Sequence, residues 1–479
     1  MTARPPSAEG LSPQAWKTIG VVILAPFMTQ MDSTIVNVSL SSIREDLHST
    51  IASAQWIISG YLLALALMLP LNAWLVDRFG AKRLYLFCFS AFTLASGLCG
   101  AARTMPELVG ARVIQGVAGG LLTPLTQLMM ARVAGRQMAR VLGYASAPVL
   151  LAPLLGPPLA GAILKFASWP WLFYVNLPVG LLAVVLAALI LPHDEASIRK
   201  RPFDLPGFLL LSPGLCCFLY GFEQLSHRKL SWLTALGLLL MGAFVWLARR
   251  RKEQALVEIG LFRIRTFAAA AITQFLSNGI LYGGQLLVPL YLISGAGLSP
   301  ARAGWILASM GIGMLCTYPM MGKVTDRFGC RAVASGGVLL NLVGTLAFLW
   351  SSLHAFSLPL VLAGLMIRGV GQGMTGIPSL AAAYAAVPKP KLSVAATAIN
   401  LVQRIGGPLM TTALAIVISL AGSGRSAPAA QAFFLPFLAL LGLQALAFLS
   451  AIGLPMRIQP QATSRRANEG ANDNLQVMG

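Results

Sequence analysis

Fourteen stretches of this chain run for about 20 residues with almost no charge. They cover roughly 17–40, 54–75, 83–102, 106–130, 141–165, 171–191, 205–224, 231–249, 267–293, 303–322, 332–351, 357–380, 394–420 and 431–454. A helix of about 20 apolar residues matches the ~30 Å hydrocarbon core of a bilayer. In lipid every backbone N–H and C=O must be satisfied inside the protein, which leaves only helices and closed barrels. The apolar runs do not alternate with polar residues, so barrel strands are excluded. The expected fold class is an all-α integral membrane protein of fourteen transmembrane helices. The overall balance agrees: 57% of residues are hydrophobic and only 10% charged, against about 25% charged in a soluble domain.

The net charge of +20 would suit a nucleic-acid partner, but its distribution argues against one. The basic residues cluster in short segments between apolar runs, where they set membrane orientation. With the N-terminus in the cytoplasm, 25 of the 35 Lys and Arg fall on the cytoplasmic side, three within spans (Arg112, Arg368, Arg404) and seven outside. That bias places both termini in the cytoplasm, as an even number of spans requires. Arg4 and Lys17 precede the first apolar run, and no small-residue cleavage site follows it, so that run reads as a first span. The six cysteines and four histidines show no metal-ligand spacing, and no phosphate-binding loop is present. The sequence therefore predicts no metal, no cofactor and no enzymatic chemistry.

The chain repeats itself. Asp77-Arg78-Phe79-Gly80 returns as Asp326-Arg327-Phe328-Gly329, and Arg112 with Gln115-Gly116 has a looser echo in Arg368 with Gln372-Gly373. The first six spans end at 191, so the repeat offset of 249 exceeds one six-span unit by about two helices. The predicted organisation is a cytoplasmic segment 1–16, a six-helix bundle 17–191, two inserted helices with basic linkers 192–266, a second six-helix bundle 267–454 and a polar tail 455–479. Internal repeats of this kind are how many secondary transporters build alternating access around a midplane site.

A few polar residues lie inside the spans. Asp32 is the only acid near the middle of one. A charge there costs at least ~2.5 kcal/mol, so an intramembrane acid is a functional candidate by default; the alternative is a structural hydrogen bond. Arg112 in span 4 holds its proton under all ordinary conditions. It would bias a nearby carboxylate, or else snorkel from a packing helix. In span 9, Gln274, Asn278, Tyr282 and Gln285 fall 4, 4 and 3 residues apart, along one helical stripe. Such a stripe faces a water-filled cavity or another helix. We expect it to line a central cavity opposite Asp32.

Taken together these motifs resemble the major facilitator superfamily, and more narrowly its fourteen-span drug:proton antiporters, over residues 17 to 454. The loop Ala73-Trp74-Leu75-Val76-Asp77-Arg78-Phe79-Gly80-Ala81-Lys82-Arg83 is similar to the superfamily's loop signature, with Ala73 where Gly is usual. Its second copy starts at Gly322. The resemblance implies that Asp77, Arg78, Gly80 and Arg83, with Asp326, Arg327 and Gly329, form a latch that closes the cytoplasmic side. Asp32-Ser-Thr followed by Val36-Asn37 resembles the family's first-helix signature. Arg112-x-x-Gln115-Gly116-x-x-Gly119-Gly120 resembles the fourth-helix signature associated with proton transfer. Gly156-Pro157 with Gly161 is similar to the antiporter motif of span 5, although Ala152 stands where a further Gly is expected. Trp169-Pro170-Trp171 to Pro178 and Asn400-x-x-Gln403-Arg404 are also family-like.

The resemblance implies an exporter of drug-like molecules driven by the proton gradient. Asp32 and Arg112 would couple the proton. Asn37, Gln115, Gln274, Asn278, Tyr282, Gln285, Gln403 and Arg404 would line the substrate cavity. The implied location is a bacterial inner membrane, with lipid, protons and an amphipathic substrate as partners. Any outer-membrane route would require a separate periplasmic adaptor. A dedicated metabolite exporter and a non-transporting receptor or scaffold on the same fold are the alternatives.

Overall fold

The computed structural model describes residues 11–192, 202–226, 232–422 and 430–456. Arg4, Arg199 to Arg201, Arg228, Lys229, Arg425 and the tail from Arg457 lie outside them. The described residues contain helices and turns but no strand. Among the described residues thirteen helical stretches are long and apolar enough to cross a membrane. One of these, Arg302–Leu353, is 52 residues long. It is broken at Gly329, whose backbone is not helical (φ 84°, ψ 162°), so it supplies two crossings and makes fourteen in all.

We label the crossings in chain order. α1 is Leu24–Asp46, led in by a helix at Pro13–Val22. α2 is Ile51–Phe79, α3 Ala81–Ala101, α4 Met105–Ala134, α5 Met138–Phe166 and α6 Trp171–Ile190. α7 is Leu205–Ser226 and α8 Trp232–Arg251. α9 is Arg265–Leu290. α10 begins as Pro300–Thr317 and ends at Gly329, where α11 begins and runs to Leu353. α12 is Leu358–Ala385, α13 Leu392–Gly422 and α14 Phe434–Ile452.

The connections follow local chemistry. On the side away from the basic loops, hydroxyl side chains cap new helices: Thr50 accepts from Ser53 N–H, Thr104 from Glu107 N–H and Ser299 from Arg302 N–H. Each satisfies an orphan N–H of the first turn. On the basic side, Gly80 (φ 85°) and Gly329 (φ 84°) turn the chain between α2 and α3 and between α10 and α11. The two copies of the loop motif thus fold alike, and both need a positive φ that residues with a Cβ adopt at a cost.

Packing repeats with the sequence. α1 packs on α5, α2 on α4, and α3 on α4 and α6; likewise α9 packs on α13, α10 on α12, and α11 on α12 and α14. The repeat extends to single side chains. Lys82 Nζ donates to the carbonyl of Leu191 at the end of α6 (2.7 Å), and Arg331 Nε donates to the carbonyl of Leu454 at the end of α14 (2.7 Å). In each bundle a loop-motif cation therefore caps the C-terminus of the sixth helix, where the helix dipole favours it.

α7 and α8 pack on each other as a hairpin, and α7 rests on α2 and α13. Asp204 fixes the basic end of this hairpin. It accepts from Gly207 N–H, Leu256 N–H and Arg251 Nη1 at 3.0, 3.1 and 2.6 Å. At the other end Trp56 of α2 stacks on Tyr220 of α7, 5.8 Å between centroids.

The bundles meet at the basic side. Asn72 of α2 donates to Thr397 of α13, and Ser393 of α13 donates to Asp77. Gln127 of α4 accepts from Tyr384 of α12 and Asn400 of α13, both at 2.8 Å. A Cβ at Gly322 would lie 2.5 Å from that of Arg140, so α10 and α5 are in backbone contact there. The basic side between the bundles is closed in this structure.

Gly329→Ala should lower the thermal stability of the purified protein. The backbone conformation alone, at positive φ with an extended ψ, costs a residue with a Cβ about 1–3 kcal/mol, and the added Cβ would overlap the Met456 carbonyl oxygen. Gly442→Ala, where a Cβ meets nothing within 4 Å, is the control and should leave the melting temperature unchanged or raise it.

Candidate functional site

The first bundle buries a charge cluster. Asp32 on α1 and Arg112 on α4 are each 1% exposed, and their ion pair is 2.5 Å long. Gln115, one turn on from Arg112, donates to the other Asp32 oxygen at 3.2 Å and accepts from Arg112 Nη1 at 2.6 Å. Asn176, at the start of the long part of α6, also donates to Asp32, at 3.2 Å. Asn176 donates in turn to Ser96 of α3, which donates to the Phe173 carbonyl, both at 3.0 Å. The Arg112 guanidinium lies over the Tyr61 ring at 4.2 Å and its Nε donates to the Ile57 carbonyl of α2. Five helices therefore converge on one carboxylate.

Glycines of the fourth-helix motif make this convergence fit. A Cβ at Gly116 would lie 2.5 Å from the Tyr61 carbonyl oxygen, and one at Gly120 would lie 2.5 Å from that of Leu65. α4 can approach α2 closely only without those Cβ atoms, and that approach brings Tyr61 onto Arg112. On the other flank of α1, a Cβ at Gly156 would fall 2.8 Å from a methyl of Thr34, two residues from Asp32. α5 runs as one helix through Pro157, and Pro157 and Gly161 lie on its exposed face.

The expected cavity residues divide. Gln115 is fully buried in the Asp32 cluster and not in a cavity wall, because both its amide atoms are used by Asp32 and Arg112. Gln274 is 2% exposed. It ties α9 to α12 through the Gly376 carbonyl and Ser379 hydroxyl, at 2.7 and 2.9 Å, and accepts from Gln403 of α13 at 2.8 Å. Asn278 donates to the Gln274 carbonyl. The upper part of the α9 stripe is thus an interhelical network. Tyr282 and Gln285 are exposed, as is Asn37 on α1. Arg404 is half-buried on α13 and within electrostatic reach of the Tyr61 hydroxyl across the bundle boundary.

The two loop-motif copies differ. Asp77 is buried and receives the Ser393 hydroxyl at the first turn of α13, where the helix dipole favours a carboxylate. Asp326 is exposed, as are Arg78, Arg83 and Arg327. The first copy's acid thus takes part in the closure between bundles.

Asn176, Ser96, Tyr61, Gln127 and Ser393 were not singled out in the sequence. Asn176 carried a signal, as an amide inside an apolar run. Ser96 and Tyr61 carried none.

A fold of two repeated six-helix bundles, with an intramembrane acid held by an arginine between helices one and four, defines a secondary-transporter class of membrane protein. The family model of the Major Facilitator Superfamily matches residues 22–406 and 266–473, and the chain belongs to that family. It is 36% identical to the multidrug resistance protein B homolog of Mycobacterium tuberculosis, across 84% of this chain and 76% of that protein. Among solved structures it is similar to the human organic anion transporter MFSD10 (TM-score 0.65, 16% identity, 92% of this chain and 100% of that one). It is also similar to the proton:xylose symporter XylE (TM-score 0.63, 14% identity, 93% of this chain and 98% of that one).

Removing one partner of a buried ion pair leaves an uncompensated charge, at a cost of roughly 3–5 kcal/mol. Asp32→Asn should therefore lower the melting temperature in detergent. Adding Arg112→Met to that variant should recover much of the loss, a non-additivity measured by a double-mutant cycle.

Proposed function

We propose that this protein is a proton-driven exporter of amphipathic, cationic small molecules, working by alternating access in a bacterial inner membrane with both termini cytoplasmic. The observation that carries this reading is the single intramembrane carboxylate, Asp32, held by Arg112, Gln115 and Asn176 in a bundle whose basic side is sealed against its repeat. The kinship with a mycobacterial protein named for multidrug resistance supports the drug-like class of cargo.

The chemistry follows from the cluster. While Asp32 is charged, its ion pair with Arg112 and its two amide donors draw α1, α4 and α6 together. A proton arriving from the outer side neutralises the carboxylate and removes its attraction for Arg112. The guanidinium then turns to its remaining partners, Gln115, the Ile57 carbonyl and the Tyr61 ring. α1 is loosened from α4, and the packing of Gly156 on Thr34 transmits that change to α5. α5 is one of the helices that close the basic side. Protonation therefore shifts the balance from the sealed conformation toward the one open to the cytoplasm, and release of the proton inward completes the cycle. Ion movement down the gradient supplies the energy, with no cofactor.

Two experiments test this. In weakly buffered detergent, adding a cationic dye substrate to the wild type should release protons, and Asp32→Asn should abolish that release. Release that persists in Asp32→Asn moves the proton to another group. Separately, Gln127→Leu removes the acceptor for both Tyr384 and Asn400. Spin labels on the basic-side ends of α4 and α12 should then report a larger open population, a shift of several-fold for a loss of about 1 kcal/mol.

A further inference from the structure

The sequence repeat places a second buried arginine where the first has its acid partner. Arg368 on α12 echoes Arg112 on α4, and like Arg112 it is 1% exposed. Its environment differs. Arg112 meets Asp32; Arg368 points at α9, where Gly284 stands, and a Cβ there would overlap its Nη2. Among the described residues its buried Nε and Nη1 have no hydrogen-bond partner. The guanidinium carbon lies 5.9 Å from the Phe348 ring centroid. Gly344 packs against its stem, so the side chain is enclosed by α9, α11 and α12.

A buried charge in a membrane protein is paired or coordinated. Arg368 cannot shed its proton to avoid this. The second bundle offers no intramembrane acid to pair with it: from residue 267 to 454 the sequence holds one acid, Asp326. Asp326 is exposed at the basic end of α10. Arg368 lies 17 residues from the basic end of α12, about 25 Å along the helix axis. Asp32 is already held by Arg112, and rocking two bundles as bodies does not carry an acid of one into the interior of the other. The counter-charge therefore comes from outside the chain.

We infer that the second bundle binds a small monovalent inorganic anion, of the halide class, against Arg368. Its enclosure favours a small ion over a bulky organic acid, and a guanidinium binds it with N–H donors that now have no acceptor. The ion does in the second bundle what Asp32 does in the first: it neutralises the arginine between the first and fourth helices. The charge in the first bundle is thus neutralised by a titratable group and that in the second by an exchangeable one.

The test is thermal unfolding of the full-length protein in detergent, in sodium chloride or bromide against sodium gluconate at equal ionic strength. Binding to the folded state alone stabilises it, and we expect the melting temperature to be higher in halide by at least ~2 °C. Arg368→Lys keeps the charge and should keep the difference; Arg368→Gln should abolish it. Gly284→Asp supplies an internal carboxylate, for which the flexible guanidinium can move aside, and should likewise abolish it, with stability independent of the anion. The inference is overturned by equal melting temperatures in halide and gluconate for the wild type. It is equally overturned by a halide effect that survives in Arg368→Gln or, where that variant does not fold, in Gly284→Asp.

Discussion

A charge buried in a membrane-spanning bundle has no water to fall back on, and the organisation of this protein follows the ways in which its few intramembrane charges are satisfied. Asp32 and Arg112 neutralise each other, and every further polar group near them is recruited to the same end. Gln115 and Asn176 complete the carboxylate; the Ile57 carbonyl and the Tyr61 ring complete the guanidinium. To bring these groups together, α4 must lie against α2 at backbone distance, which sets glycine at 116 and 120. The ion pair thus fixes helix spacing as well as charge. A pair of this kind adds little net stability over an apolar replacement; in the proposed mechanism its worth lies in being able to change state when the acid takes a proton.

The closure between the bundles is of a different kind. Its described contacts include neutral hydrogen bonds, Gln127 with Tyr384 and Asn400 and Asn72 with Thr397, together with Asp77 of α2 against the start of α13. Neutral bonds of this type are each worth about 1 kcal/mol net. A handful can hold one side shut, yet a change of a few kcal/mol elsewhere can open it. Against that, contacts inside each bundle are extensive and repeat closely between them, from helix pairs down to the Lys82 and Arg331 caps. Strong packing within bundles and weak bonding between them suit two bodies that rock.

The repeat is also where symmetry is broken to purpose. Asp77 is buried and bonded across the boundary, while its counterpart Asp326 is exposed. Arg112 has its acid, while Arg368 faces a glycine. The first bundle holds the charge chemistry. The second holds an amide network of Gln274, Gln403, Asn278 and Ser379 between α9, α12 and α13. α7, paired with α8, lies along the boundary against α2 and α13, and Asp204 anchors the hairpin.

The sequence by itself determined the membrane helices, their number and the repeat. Apolar length and backbone satisfaction in lipid leave no other fold class, and the doubled Asp-Arg-Phe-Gly turn marks corresponding points in both halves. It also singled out Asp32 and Arg112, since an intramembrane charge is conspicuous in any apolar run. Only the tertiary structure decided the partners. Asn176 donates to Asp32 from 144 residues away, and nothing in its own helix shows which carboxylate it meets. Gln115 and Gln274 have the composition of cavity residues, yet packing turns both inward. Helical periodicity gives the face on which a residue lies; what that face meets depends on the arrangement of all fourteen helices, where glycine contacts and the need to pair each buried charge make the choice.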